Sequence, residues 1–388
     1  MSPTPPSLSS LRLLPCNAFL FPFRFPIKTL STTFTRFLCT SSLSNTHHHL
    51  QPMLITMTDN ETHTHLNPSK ADDPKPLIYP IPLSPPLPLI SKQLELNRAL
   101  SASSKSTLFV LSRSDVVFED EYLIVVNKPQ GIYCETVLSA IPRLLQDSQV
   151  ASAGTGMKSP EEFHLANRLD RDTSGVMVIT KSHKVAGKLV KAFTEHKVSK
   201  SYIALCCGSD PNWDRISIRS GHGRSNHGAW RVYAESDVGR TLPGGSMVRD
   251  METSFQVLSV NGRHRFKNPT TKSRTDQQEE LGEEEEEEMV VVEDAGVDIA
   301  STEESKKDEI LVRANPRSGR THQIRLHCQY LGIPICGDVK YEGPHEWKGK
   351  TWDGHALHAQ TLSLHHPVTG LPLVFQAPLP FWAKPFHS

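Results

Sequence analysis

Short apolar runs separated by turn residues dominate the chain from about residue 114 onward, a pattern of strands with few helices between them. Residues 122–127 (YLIVVN) form a β-branched run closed by Lys128-Pro129-Gln130-Gly131, where proline fixes φ and glycine admits φ > 0. Residues 176–180 (VMVIT) start a second strand directly after Gly175, and residues 200–206, 253–258 and 310–314 read as three more. Two segments switch to a helical period. Residues 182–196 put Val185, Leu189, Val190 and Phe193 on one face and Lys184, Lys188 and Lys191 beside it. Residues 320–331 (RTHQIRLHCQYL) give the second helix, stopped by Gly332 and Pro334. Residues 357–380 return to strand-like runs, and no internal repeat is present. The pattern predicts one α+β domain over residues 100–388, a mixed, mostly antiparallel sheet with flanking helices and loops.

What precedes that domain has a different texture. Residues 1–58 carry Arg12, Arg24, Lys28 and Arg36 with no acidic residue, and are rich in Ser, Thr, Pro and Phe. This is the composition of an organelle transit peptide, addressed to chloroplast or mitochondrion, the former slightly favoured. Starts at Met53 or Met57 would give a shorter, cytosolic form without the address. The apolar stretch near Phe19 is broken by Pro22, Arg24 and Pro26, so it cannot span a membrane. Residues 59–99 read as a linker, ending in the proline-rich PLIYPIPLSPPLPLI.

Charge changes the picture further. The chain is formally neutral, but residues 276–309 hold sixteen Asp and Glu against Lys306 and Lys307, a local net charge of −14 that the rest must balance. Outside both the leader and this tract, residues 59–275 and 310–388 carry about +10, a bias that suits a polyanion. The acidic tract, about residues 265–309, interrupts a hairpin between two predicted strands and is too charged to order itself by burial. The seven cysteines, two of them (Cys16 and Cys39) in the leader, form no paired CxxC, so neither a disulfide framework nor a zinc site is expected. His47, His48 and His49 read as a solvated tract, and His355 and His358 as structural.

The candidate chemistry lies in HLANRLDRDTSG, residues 164–175, which sets Arg168, Asp170, Arg171 and Asp172 directly before a strand. On this stretch alone a salt-bridged turn is the default. A second reading comes from Asp172-Thr-Ser-Gly175, one half of an aspartic-protease dyad; that chemistry needs two carboxylates sharing a proton, and no second such motif occurs.

Several separated motifs resolve the choice by resemblance. Residues 120–131 (DEYLIVVNKPQG), 167–175 (NRLDRDTSG), Lys200-Ser-Tyr202 with Ala204 and Gly208, and 319–327 (GRTHQIRLH) occur in the order found in the RluA-type family of RNA pseudouridine synthases, which the chain resembles over about residues 115–380. Gly337-Asp338, Tyr341, Leu357-His-Ala and His366-Pro367 complete the family's pattern, and with its leader the chain resembles a plant organellar-type member. The resemblance implies an isomerase acting on uridine in RNA (ribosomal or transfer), with no membrane association, expected to be monomeric and needing neither nicotinamide, metal nor ATP.

It further implies Asp170 as the catalytic carboxylate, Arg325 as its ion-pair partner, Tyr202 stacked on the target base, and Ile324 and Leu326 shaping an apolar pocket. Arg168 would approach the target strand. Lys184, Lys188, Lys191, Arg219, Arg224 and Arg231 are candidate phosphate contacts. Asn167 stands where the family commonly has His, and no S4 RNA-binding module precedes residue 115. The basic, Gly-rich residues 221–245 are either a recognition loop or an elaborated hairpin. A catalytically silent RNA-binding protein of the same fold is the alternative to an active enzyme.

Overall fold

The computed structural model describes residues 79–90, 92–149, 162–265, 288–293 and 307–384. The leader, His47 to His49, Cys16, Cys39, the first part of the linker and most of the acidic tract lie outside the described residues. In chain order the elements are α1 (Lys92–Thr107), β1 (Val116–Glu119), β2 (Leu123–Lys128), α2 (Cys134–Gln149), β3 (His164–Leu165), β4 (Ser174–Thr180), α3 (His183–Thr194), β5 (Ser199–Gly208), β6 (Arg215–Arg224) and β7 (Trp230–Tyr233). They continue with β8 (Arg249–Val260), β9 (Arg263–His264), β10 (Glu288–Val291), β11 (Asp308–Pro316), α4 (Gln323–Tyr330), β12 (Glu346–Trp347), β13 (Lys350–Thr351), β14 (Leu357–His365) and β15 (Pro372–Gln376). The main sheet runs β1-β2-β4-β14-β5-β11-β8-β6-β10 and is antiparallel except where β14 meets β4 and β10 meets β6.

Continuous apolar runs mark strands covered on both faces. In β2 and β4, alternate residues serve two different cores. Leu123, Val125, Val176 and Val178 pack with Val185 and Leu189 of α3, whereas Ile124, Val126, Met177 and Ile179 pack with Val137, Ile141 and Leu144 of α2. The largest core lies under β5, β6, β8 and β11, capped by Ile324, Leu326 and Cys328 of α4. Strand β8 alternates buried and half-buried along its inner length, as the period-two pattern requires. The parallel seam between β4 and β14 depends on Gly175: its φ is +111°, and a Cβ there would lie 2.1 Å from the Ala359 carbonyl oxygen. The residues just before this seam are the charged turn.

Two expectations need correction, and one open alternative is decided. The later part of the linker is packed: Leu83 N–H donates to Val232 O (2.8 Å), Ser84 Oγ accepts from Arg231 Nε (2.8 Å), and Leu83 and Leu87 rest on the main core. Leu83 and Leu87, between the prolines, bury apolar area that a solvated spacer would leave exposed, and helix α1 begins within the same expected linker and runs beyond it. Within the expected acidic insertion, the run Met289-Val-Val-Val292 is β-branched, and β10 adds in parallel to β6 with Val292 in the core. Residues 221–245 are an elaborated hairpin: Gly221 to Arg224 pair with Trp230 to Tyr233, and Tyr233, Leu242 and Val248 close a small core of their own. Among the described residues, no helix is long and apolar enough to cross a membrane.

Candidate active site

Two turns distant in sequence are tied together by one buried lysine. Lys128, the last residue of β2, sends its Nζ to the carbonyls of Pro129 (2.9 Å), Ile132 (2.7 Å) and Arg171 (2.8 Å), and Gly131 N–H also donates to Arg171 O (3.0 Å). Burial pushes the Lys128 ammonium down to about 8, against the pull of Asp172 and Asp170. The KPQG turn therefore clamps the backbone beside Asp170. Thr173 N–H donates to Asp170 O (3.1 Å) and closes the turn, while Asn167 Oδ1 accepts from Val178 N–H (2.8 Å) and fixes its entry to β4.

Helix α4 supplies the cation. Arg325 donates from Nη1 to Asp170 Oδ2 (2.7 Å) and from Nε and Nη2 to the two carboxylate oxygens of Asp338 (2.6 and 2.8 Å). The Tyr341 ring lies 5.0 Å from the guanidinium carbon. Burial alone would raise the Asp170 carboxyl, but Arg325 outweighs it and holds the group below its ordinary value. Asp338 is 2% exposed at the side chain, and both its carboxylate oxygens take bonds from the guanidinium. His322 faces Asp170 from 3.8 Å through Nε2, and its Nδ1 is 2.7 Å from Tyr341 Oη. Burial and the Arg325 charge push His322 down to about 3, so the ring is neutral at neutral pH. With a carboxylate beside Nε2, the tautomer with Nε2–H and a Tyr341 hydroxyl donating to Nδ1 satisfies both contacts.

Asp170, 31% exposed at the side chain, lies in a cleft of about 580 Å³. Tyr202 of β5, Ile324 of α4 and Leu357 supply apolar lining; Arg168, Lys200, Arg249, Arg320 and Arg325 supply five cations, and Asp170 is the sole carboxylate. Its Oδ2 is taken by Arg325, and no described group bonds Oδ1. The arrangement presents one ionised oxygen beside an aromatic face, inside a basic cleft sized for a nucleotide.

Residues 122–330 match the family model described as RNA pseudouridylate synthase. The chain belongs to that family. RNA pseudouridine synthase 1 of Arabidopsis thaliana is 59% identical over 307 residues, covering 79% of this chain and 88% of that protein. RNA pseudouridine synthase 1 of Oryza sativa subsp. japonica is 58% identical over 310 residues, covering 80% and 85%. Ribosomal large subunit pseudouridine synthase C of Pasteurella multocida is 27% identical over 274 residues, covering 68% and 64%. The protein is thus an isomerase that makes pseudouridine in RNA, on the mixed, mostly antiparallel sheet its apolar pattern predicts.

The geometry of this synthase sorts the residues singled out in the sequence. Asp170, Arg325, Tyr202, Ile324 and Arg168 all reach the cleft. Leu326 does not: it is fully buried in the main core, because neighbouring positions on one helical turn point about 100° apart. None of the six candidate phosphate contacts lines the cleft. Arg231 is tied to Ser84, and Arg219 pairs with Glu235 (3.0 Å) and Glu252. Lys188 donates to Pro367 O (3.0 Å), Lys191 pairs with Glu195, and Arg224 lies over the Trp230 ring. Lys184 is exposed on α3. Besides Arg168 and Arg325, the cleft's cations are Lys200, Arg249 and Arg320, none of them among the six.

The Asp172 reading is also decided by geometry. Its carboxylate takes two bonds from Arg171 (2.7 Å each), an ion pair with no proton to share. His355 and His358 are structural, as expected: His355 Nε2 is 2.8 Å from Thr173 Oγ1, and His358 Nδ1 is 2.9 Å from Ser174 Oγ, so both brace the strand that follows the turn.

Proposed function

We propose that Asp170 is the catalytic residue and that the enzyme modifies organellar RNA, with large-subunit ribosomal RNA the leading substrate. The observation that carries the catalytic assignment is the chain Asp338–Arg325–Asp170, which keeps one carboxylate ionised in a cleft where every other charged group is a cation. Isomerisation breaks the N1–C1′ bond, turns the uracil and joins C5 to C1′; C5 loses a proton and N1 gains one, so nothing is oxidised and no water is consumed. The free Oδ1 serves this in either of two ways, by bonding to C1′ or by removing a proton from the ribose. Tyr202 stacks on the extruded base, Ile324 excludes water from its edge, and Arg168 enters the space the base leaves.

The compartment rests on the acid-poor, Arg- and Ser-rich leader, and the ribosomal substrate on the name of the Pasteurella relative. The test is a pseudouridine map of organellar and cytosolic RNA from cells lacking the gene, rescued with wild type or Asp170→Asn. A set of organellar ribosomal sites lost and restored only by wild type is the expected result. Rescue by Asp170→Asn would leave a silent RNA-binding role as the account of the cleft.

A further inference from the structure

Lys200 is a cation that the fold leaves without a counterion. It sits on β5 two positions before Tyr202 and so on the same face of the strand, about 6.6 Å away along it. Its Nζ donates to Ser318 O (2.6 Å) and packs beside Gly319; no described carboxylate pairs with it. The comparison with its neighbours is direct. Arg168 pairs with Glu135 (3.0 Å), Arg320 with Asp250 (2.8 Å) and Arg317 with Glu252 (3.1 Å). Lys200 is also half-buried, and that burial alone pushes its ammonium down to about 8. A charged group held this way costs stability unless an anion arrives to meet it.

The surroundings say what kind of anion. Lys200, His196 and Pro316 line the catalytic cleft and also a second depression of about 340 Å³, whose remaining walls include Asn315, Arg317, Thr361 and Ser363. That depression offers hydroxyl, amide and cationic groups and, His196 apart, no ring on which a base could stack. Such a lining suits ribose and phosphate rather than a nucleobase. We propose that Lys200 and this depression form a subsite for the RNA phosphodiester adjoining the target uridine, so that Lys200 fixes the strand while Tyr202 holds the base. The proposal rests on the target uridine docking at Asp170. Once the phosphate is seated, two free N–H donors of the ammonium gain an anionic acceptor in a low-dielectric site.

The test uses the full-length enzyme and a fluorescein-labelled nine-nucleotide single-stranded RNA with one central uridine, followed by anisotropy across a salt series. Lys200→Gln is expected to weaken binding about fivefold and to reduce the salt slope by about 0.7, while Lys200→Arg keeps the slope. A methylphosphonate at one of the two linkages next to the uridine should weaken wild type by the same factor and have no further effect in Lys200→Gln. Equal loss in wild type and Lys200→Gln at both linkages, or an unchanged slope, overturns the subsite. Should Lys200→Gln fail to fold, the neutral linkages decide with wild type alone: no loss at either is the refuting outcome. Turnover by Asp170→Asn is scored separately, so a silent Lys200 with an essential Asp170 removes only the subsite, and an Asp170→Asn that still turns over removes the docking on which it rests.

Discussion

Asp170 and Asp172 stand two residues apart in one turn, each bonded to an arginine, and they do different work. Asp172 is paired with its own neighbour, Arg171, through both oxygens, and its carboxylate is consumed by the contact. Asp170 is met by Arg325 from 155 positions away, through one oxygen only, because the guanidinium's other donors are already committed to Asp338. A local, fully satisfied pair stiffens a turn. A shared arginine ionises a carboxylate and leaves half of it free to react. The difference lies in donor count and not in the residue types, which are the same in both pairs.

The largest effect should come from breaking that asymmetry at Asp170, the proposed catalytic group. Asp170→Asn is expected to lower kcat by at least about 10³-fold, with the melting temperature little changed, since Arg325 keeps its two bonds to Asp338; single-turnover assays and thermal melts check both. Next in size is Arg325→Gln. It leaves the Asp338 carboxylate buried without a partner, which costs about 3–5 kcal/mol in urea titration. Asp170 then loses the charge that holds it down, so burial raises its pKa and the acid limb of any residual activity moves to higher pH. Arg325→Lys should not rescue, because one ammonium cannot fork onto Asp338 while reaching Asp170. Asp172→Asn, by contrast, should cost about 2 kcal/mol of stability while kcat falls less than tenfold. A larger kcat loss in Asp172→Asn than in Asp170→Asn would reverse the assignment.

How much of this was legible in the chain differs between strands and site. Strands β2, β4, β5, β8 and β11 follow from period-two or continuous apolar runs, because burial acts directly on residue type. The start of α4 does not follow: the helical period reaches back to Arg320, but His322 takes φ 60°, and the helix begins at Gln323, whose side chain accepts from Ser318 Oγ and Arg320 N–H. Helix α2 hides behind Pro142, and β10 behind the glutamates before it. At the site, motifs named Asp170, Arg325 and Tyr202, whereas Lys128 and Arg98 act through backbone carbonyls that no side-chain pattern encodes. Arg98 of α1 donates to Gly337 O (3.0 Å) and Trp352 O (2.9 Å), and so holds the loop that carries Asp338. His322 sat in plain view within GRTHQIR; only its distance to Asp170 reveals it as part of the site.

Protonation separates the two regions more gently. His322 stays neutral to about pH 3, and Asp170 is ionised, so kcat should be flat between pH 5.5 and 7.5, with no inflection near the usual histidine value. Stability behaves differently. His322 and His327 are pushed down to about 3 and His222 and His358 to about 4, chiefly by burial. In the unfolded chain these rings bind protons from about pH 6.5 downward, so the unfolded state takes up protons that the native state refuses, and stability falls as pH drops from 6.5 towards 4. Lys128 and Lys200, both pushed down to about 8, act at the other end: between about 8 and 10.5 the unfolded state holds more protons on them, so their contribution rises with pH. Urea titrations at stepped pH beside kcat measurements check the separation; an inflection in kcat near 6.5 would give His322 a charged role.

The smallest effect is expected at Asn167, where this chain departs from the histidine common in its family. Its Oδ1 accepts the Val178 N–H of β4, a backbone donor in the interior that would otherwise lack a partner. Asn167→Ala should therefore cost about 1–2 kcal/mol with little change in kcat. Asn167→His should cost less than about 0.5 kcal/mol, because a ring Nδ1 sits about as far from Cα as the amide oxygen and can accept the same bond. Urea melts beside single-turnover rates distinguish the possibilities. If Asn167→His folds as wild type but turns over more than tenfold slower, the asparagine is doing more than bracing the turn: its amide N–H then reaches the RNA, and the cleft's wall at Asn167 belongs to the reacting side of the Asp170–Asp172 comparison.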